Sequence, residues 1–167
     1  MTDIQYQVLQ GVWNNIDKVK NNNTRIFIFL KEYREVNLEK FREGGMNYIL
    51  NELRAEISGG LKDGTLIQHV WWHVVQDEHI KNIILISDLQ YGVEYEGYFN
   101  GLNYSDRDDL NVHVYQLYID SLAPWYWKNF MALFNNKMES TPKCLKERKI
   151  VYKDGRIEDA EIGSLKK

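Results

Sequence analysis

Apolar residues recur at helical spacing in three parts of the chain, and these parts predict its main helices. One face of the first helix, over about 3–20, is marked by Ile4, Val8, Val12, Ile16 and Val19. The second helix is predicted near 38–58, where Asn37 is a suitable N-cap and Gly44-Gly45 predicts either a kink or two separate helices. The third is predicted near 123–138 and carries a stripe of large aromatic residues.

Two short runs, near 26–30 and 83–87, are apolar on both faces of a strand. A strand without a polar face is usually covered on both sides, so both runs are predicted to be central strands of a mixed β-sheet. β-Branched and aromatic residues predict further strands near 66–75 and 111–119, the first of them forming a hairpin with 83–87. The turn residues Lys153-Asp154-Gly155 predict another hairpin near the C-terminus.

These elements predict a single α+β domain over 1–167, with the basic stretch 137–167 at its periphery. A chain of 167 residues can bury a core without disulfides or metals. Its single cysteine, Cys144, fits a reducing compartment. The chain has no apolar run of the roughly 20 residues that span a membrane, and its first residues lack the features of a secretory signal. We therefore expect a cytoplasmic protein that does not associate with membranes.

Charge is distributed unevenly along the chain. Residues 1–60 carry 8 basic and 8 acidic side chains, residues 61–136 carry 4 and 10, and residues 137–167 carry 9 and 6. All 4 histidines and 14 of the 22 aromatic residues also lie within 61–136. Because a phosphate-binding face needs Lys and Arg, the acidic middle of the chain argues against nucleic-acid binding there. Residues 143–156 give such binding only weak support.

The acidic, aromatic region 91–127 predicts a protein-binding surface, because Trp and Tyr are enriched at the centres of interfaces. The residues expected to contact a protein partner are Tyr91, Tyr95, Tyr98, Tyr104, Asp106, Asp108, Asp109, Trp125 and Tyr126. The chain has no P-loop, nucleophile elbow or His-Glu-x-x-His motif that would indicate catalysis. A regulatory or inhibitory protein-binding module is therefore the leading hypothesis. The alternative for the aromatic residues of 123–138 is a purely structural role in the core.

The stretch "QHVWWHVV", residues 68–75, places two histidines four residues apart. On a strand, the α-carbons of His69 and His73 are about 13 Å apart, which is too far for both to bind one zinc ion. On a helix the same spacing would bring them together as zinc ligands. His113 lies on the strand predicted near 111–119, where it can form a cross-strand pair with His69 or His73 that binds a metal or a carboxylate. A packed strand-face histidine is the alternative.

Three acids come directly after apolar strands: Glu32, Asp88 and Asp120. Binding sites of sheets covered by helices tend to lie at the carboxyl ends of strands. Converging carboxylates can hold Mg²⁺ or Mn²⁺, which serve hydrolysis and phosphoryl transfer. The alternative function is therefore a metal-dependent hydrolase or nuclease with these three acids as catalytic residues, and with His69 and His113 as weaker metal-ligand candidates. In the competing interpretation, Asp88 and Asp120 only cap the turns that follow their strands.

Overall fold

In the computed structural model, the described residues are 3–29, 33–52, 73–74, 76–90, 109–132 and 144–163. Backbone contacts group the chain into two compact units, Met1–Val70 and Trp71–Lys167. The prediction of one domain over the whole chain stays a prediction. Helices and strands are both present in each unit, so the α+β class is confirmed. No helix within the described ranges is long and apolar enough to cross a membrane.

The predicted helix near 3–20 forms two helices in the first unit. Helix α1 runs over Asp3–Asn14, and helix α2 runs over Ile16–Asn21. Asn15 divides them, and its Nδ2 donates a hydrogen bond to the carbonyl oxygen of Gly11 at 2.9 Å. Such a bond from a side chain to the backbone offers an alternative to the regular helical pattern, which accounts for the break.

The second predicted helix also forms two helices over its described part. Helix α3 runs over Leu38–Gly44, and helix α4 runs over Met46–Glu52. The predicted N-cap is confirmed, because Asn37 Oδ1 accepts a hydrogen bond from the backbone N–H of Lys40 at 3.1 Å. The two helices separate at Gly45, whose φ of 58° is a left-handed conformation that suits glycine. The result is two helices rather than one kinked helix.

A small antiparallel sheet completes the first unit. Strands β1, Phe27–Phe29, and β2, Tyr33–Glu35, pair with Ile28 opposite Arg34. The buried core of this unit consists of Leu9, Ile16, Val36, Phe41, Met46, Tyr48 and Ile49. Ile28 packs against this core from β1, so the helices and the small sheet share a single apolar interior.

The second unit is built on a four-stranded mixed sheet in the order β3-β4-β5-β6. Its strands are β3, Asn82–Ser87; β4, Asn111–Leu117; β5, Leu145–Val151; and β6, Ile157–Asp159. Strands β3, β4 and β5 are parallel, whereas β6 is antiparallel to β5. The C-terminal hairpin is thereby confirmed, with Gly155 at a φ of 88° in its turn.

Helix α5, Ala123–Ala132, follows β4 and lies against one face of this sheet. Gln116 Nε2, on β4, donates to the carbonyl oxygen of Ala123 at 2.8 Å. The guanidinium of Arg148, on β5, lies 4.7 Å from the ring centroid of Trp127. Parallel strands need a connection that crosses the sheet, and α5 forms part of the connection from β4 to β5.

The two strands that were predicted to be central lie in different sheets. Strand β1 belongs to the two-stranded sheet, and β3 is the first strand of the four-stranded order among the described residues. The side chain of Ile84 in β3 is 68% exposed, so this apolar run is not covered on both faces. An all-apolar strand indicates two-sided burial only when each face has an element to pack against, and sequence does not show that.

The strand predicted near 66–75 is wrong where the structure describes it, because His73, Val74 and Gln76 are helical. Residues 53–72 and residue 75 lie outside the described residues, and His69 is among them. The 13 Å separation predicted for His69 and His73 assumed that both lie on a strand. His73 is helical, so that assumption does not hold. β-Propensity depends strongly on packing context, which explains why a β-branched residue such as Val74 can be helical.

Candidate functional site

Two of the predicted strand-end carboxylates come together in the second unit. Strands β3 and β4 run parallel with Ser87 opposite Gln116, so their carboxyl ends lie at the same edge of the sheet. Asp88 follows β3 directly, and Asp120 follows β4 after two residues. The two carboxylates are near enough for the charge of Asp120 to raise the pKa of Asp88. The predicted convergence of these two acids is therefore present in the structure.

Each of the two carboxylates also holds the turn that follows its strand. Asp88 Oδ1 accepts from the backbone N–H of Gln90 at 2.9 Å, and Asp120 Oδ1 accepts from that of Leu122 at 2.7 Å. The turn-capping interpretation is thus confirmed for both residues. Because a carboxylate has two oxygens, each side chain can cap its turn with one and face a ligand with the other.

The backbone beside Asp88 is held in an unusual conformation. Leu89 has a φ of 64°, a left-handed value that costs energy for a residue with a side chain. Its side chain is buried, and its N–H donates to Ser87 Oγ at 3.0 Å. Burial and this hydrogen bond together fix the sharp turn that directs the chain away from the strand. Such conformations are frequent at functional sites, where the surrounding structure holds them.

Burial shapes the electrostatics of this edge. It is the largest cause of the raised pKa of Asp88, and repulsion from Asp120 adds to it, while the hydrogen bond from Gln90 acts in the opposite direction. Burial is also the first cause of the raised pKa of Tyr126, with smaller contributions from Asp120 and Asp88. The Tyr126 side chain is 7% exposed. A cation near these groups would relieve the repulsion between the two carboxylates.

The substitution Asp88→Asn is expected to raise the thermal unfolding temperature near pH 7. Since the folded-state pKa lies above the usual 3.8, ionisation costs stability above that pKa. The cost shrinks as the pH falls through the raised folded-state pKa, and it disappears below the usual 3.8, where the carboxyl is protonated in both states. Asparagine keeps the oxygen that accepts from Gln90. Melting curves should therefore show a stabilisation near pH 7 that shrinks near pH 4.

The matched control is Asp77→Asn, in a turn before β3. Asp77 Oδ1 accepts from the backbone N–H of His79 at 2.9 Å, which is the same kind of turn bond. It lies at the amino end of the strand, away from Asp120. A destabilisation of Asp88→Asn near pH 7 would contradict the electrostatic cost assigned to Asp88.

An exposed apolar surface borders the carboxylates. It is formed by residues 118–125 and is called the 118–125 surface below. Its large apolar side chains are exposed by 37% at Tyr118, 40% at Ile119, 50% at Leu122 and 54% at Trp125. Exposed side chains of this size usually occur singly, whereas here four occur within eight positions. Asp120 lies in the middle of this sequence and adds a negative charge to it.

The predicted binding residues of region 91–127 differ in their exposure and in their partners. Trp125 is exposed, whereas Tyr126 is buried, because the start of α5 turns it inward. Contact of these residues with a partner stays a prediction. Asp109 forms an ion pair with Lys81 at the amino end of the parallel strands, opposite to Asp120. Glu32 and several of the predicted residues lie outside the described residues: Tyr91, Tyr95, Tyr98, Tyr104, Asp106 and Asp108.

His113 has a different neighbour from the one predicted. Both edges of β4 are occupied, by β3 and β5, so a strand containing His69 or His73 cannot pair with it. His113 instead lies opposite Glu147, whose Oε2 is 2.7 Å from its Nδ1. The bonds from His113 and then Lys149 lower the pKa of Glu147. The described residues contain no group of three or more His, Cys, Asp or Glu that is arranged to hold a metal.

Three basic residues of 143–156 are engaged within the fold: Arg148, Lys149 and Arg156. Lys149 pairs with both Glu147 and Asp159, at 3.3 and 2.9 Å. Arg156 lies 3.6 Å from Glu158 and 4.3 Å from the ring centroid of Tyr152. Such pairs reduce the positive potential that phosphate binding requires, so this strand gives nucleic-acid binding little support.

A buried polar network beneath α5 was not predicted. Gln116 is fully buried, and its Oε1 accepts from Arg148 Nη2 at 2.9 Å and from Nε at 3.2 Å. Arg148 Nη1 donates to the carbonyl oxygen of Glu161, and Trp127 Nε1 donates to that of Ile162. The signal was present in sequence, because Gln116 has the same strand parity as the apolar Val112 and Val114.

No protein-family model, curated protein or solved structure matches this chain. The chemistry of its own side chains therefore carries the functional proposal.

Proposed function

We propose that this chain is a protein-binding module of a regulatory or inhibitory kind, and that it binds through the 118–125 surface. The supporting observation is the exposure of four large apolar side chains within eight residues. Trp125 is the most exposed of the four, at 54%. Trp and Tyr are enriched among the residues that contribute most to binding energy. They also bury a large area while losing few rotatable bonds.

The local structure supports a preformed contact surface. Asp120 accepts hydrogen bonds from the backbone N–H groups of Leu122 and Ala123, and these bonds fix the turn that leads from β4 into α5. The Trp125 ring packs edge-on against the buried ring of Tyr126, with centroids 5.6 Å apart. A surface held in this way loses little conformational entropy when a partner binds.

Photo-crosslinking tests the proposal. Benzoylphenylalanine at position 125 should give a covalent adduct with a discrete protein in the cells that naturally produce this chain. The matched control carries the same group at position 84, where Ile84 is 68% exposed on β3 outside the 118–125 surface. Adducts at position 125 that disappear in a Leu122→Ala background would support the proposal. The same adducts from both positions, or none at position 125, would contradict it.

A second candidate function, a metal-dependent hydrolase or nuclease, is favoured by the convergence of Asp88 and Asp120. Their side chains are within electrostatic range at the carboxyl edge of parallel strands, where ligands bind in many such sheets. Mg²⁺ often takes only one or two protein carboxylates and keeps several waters. Two acids are therefore sufficient protein ligands, with Glu32 outside the described residues.

Thermal melting with added metal separates this candidate from the first. If the pair holds Mn²⁺ or Mg²⁺, saturating metal at about 100 times its dissociation constant should stabilise the protein by about 2.7 kcal/mol. Asp88→Asn should abolish the shift, whereas Asp77→Asn should keep it. Equal melting temperatures in EDTA, Mg²⁺ and Mn²⁺ would remove the metal-dependent candidate and leave the protein-binding proposal intact.

A further inference from the structure

The 118–125 surface combines apolar exposure with negative charge. Asp120 lies between Ile119 and Leu122, both of which are exposed, and Trp125 lies one helical turn beyond Leu122. Lys128 is the only Lys or Arg in the sequence 109–132. A partner on this surface therefore meets apolar side chains around an exposed carboxylate.

The second carboxylate extends the negative charge inward. Asp88 follows β3 at the same edge of the sheet and lies within electrostatic range of Asp120. These two carboxylates favour a ligand that carries positive charge and hydrogen-bond donors.

We propose that the 118–125 surface binds a short basic-apolar segment of a partner protein, with an Arg or Lys side chain at Asp120 and an apolar side chain against Leu122 and Trp125. This inference rests on the proposed protein-binding function and adds the chemistry of the partner. Its basis is charge complementarity together with apolar exposure. The carboxylate lies in the turn between β4 and α5, and the exposed apolar side chains lie in that turn and in the first turn of α5.

The two parts of the surface have different effects on binding. An ion pair at an exposed carboxylate contributes little affinity by itself, because solvent screens it. Apolar burial at Leu122 and Trp125 supplies most of the affinity, and Asp120 selects partners by charge and speeds their association. An arginine is favoured over a lysine, because its planar group can bind a carboxylate and stack on the face of Trp125. We therefore expect binding to weaken as salt concentration rises without being lost.

Selection from a library of random peptides tests this inference. Phage-displayed peptides of about twelve residues would be selected on the purified full chain, and enriched peptides would be synthesised with a fluorescent label. We expect enrichment of sequences with Arg or Lys within a few residues of Leu, Phe or Trp. Anisotropy titration would then give the dissociation constant of one such peptide for each variant.

Three variants and two controls assign the binding to this surface. Trp125→Ala is expected to weaken the peptide at least about tenfold, as at other aromatic hot spots. Asp120→Asn, which keeps the oxygen that accepts from Leu122, is expected to weaken it about threefold to tenfold at low salt and less at high salt. Asp88→Asn is expected to act in the same direction with a smaller effect. Ile84→Ala and Asp77→Asn should leave the dissociation constant unchanged.

Several results would overturn the inference. Enriched peptides that depend on Trp125 but have no basic residue would refute the partner chemistry and support the protein-binding function itself. Peptides unaffected by Trp125→Ala, or a failed selection, would refute this surface as a site for a short segment. In that case the crosslinking experiment decides on the proposed function independently. Peptide binding that EDTA abolishes and Mn²⁺ restores would also refute the basic-apolar partner, because a metal that bridges protein and peptide does not require a basic peptide.

Discussion

Replacing Phe130 with alanine is expected to destabilise the second unit by about 3–5 kcal/mol, the usual cost of truncating a fully buried phenylalanine. Phe130 is 0% exposed in the middle of α5, and its ring centroid lies 5.6 Å from that of Trp127. Alanine would lose the apolar burial and leave a cavity that rigid neighbours fill only in part. Urea unfolding, followed by circular dichroism, measures the loss as a lower transition midpoint.

Lys128→Ala is the control for Phe130, because Lys128 is exposed on the same helix. Alanine has the higher helix propensity, so its effect should remain within about 0.5 kcal/mol. A loss below about 1 kcal/mol for Phe130→Ala would mean that α5 does not depend on this side chain for its packing.

The second large effect is expected for Gln116→Leu, which should destabilise the unit by about 2–4 kcal/mol. Leucine has a similar volume but cannot accept from Arg148 or donate to the carbonyl oxygen of Ala123. Burial already lowers the pKa of Arg148, so its guanidinium depends on the few acceptors within reach. Partial exposure of Arg148 lets water replace some of the lost bonding, which keeps the expected cost below that of a fully buried charge.

A double substitution tests this explanation of Gln116. Adding Arg148→Met to Gln116→Leu should recover part of the lost stability, because removing both polar partners costs less than leaving one of them unsatisfied. If the two single effects simply add, the hydrogen bonds between Gln116 and Arg148 do not account for the cost. Urea midpoints of the two single variants and the double variant complete the cycle.

The start of α3 and the break between α3 and α4 could be predicted from the sequence because they depend on local signals. Asn37 and Gly45 mark a helix start and a helix break through hydrogen bonding and backbone freedom that belong to the residues themselves. Sheet membership depends on which segments meet in space. Nothing in an apolar run such as that of β1 specifies whether it joins a small antiparallel sheet or the larger mixed one.

Only part of the candidate site could be predicted from the sequence, because its geometry also depends on which segments meet in space. The sequence showed that an acid follows each apolar run, but Asp88 and Asp120 meet because β3 and β4 are parallel neighbours, which the sequence did not show. The direction of Tyr126 depends on where α5 begins, and a shift of one residue along a helix turns a side chain by about 100°. Trp125 therefore points outward and Tyr126 inward, although their sequence context is nearly the same.

Strand β6 affects how the protein behaves at high concentration. It forms the last strand of the described order, and the outer edge of a sheet is a template for joining further chains. Ile157–Asp159 is only three residues long, and two of them are acids that hold Tyr152 and Lys149. A short, charged edge offers an incoming strand few backbone groups and repels another copy of itself. At this edge the sheet is thus protected against aggregation by the same acids that close its hairpin.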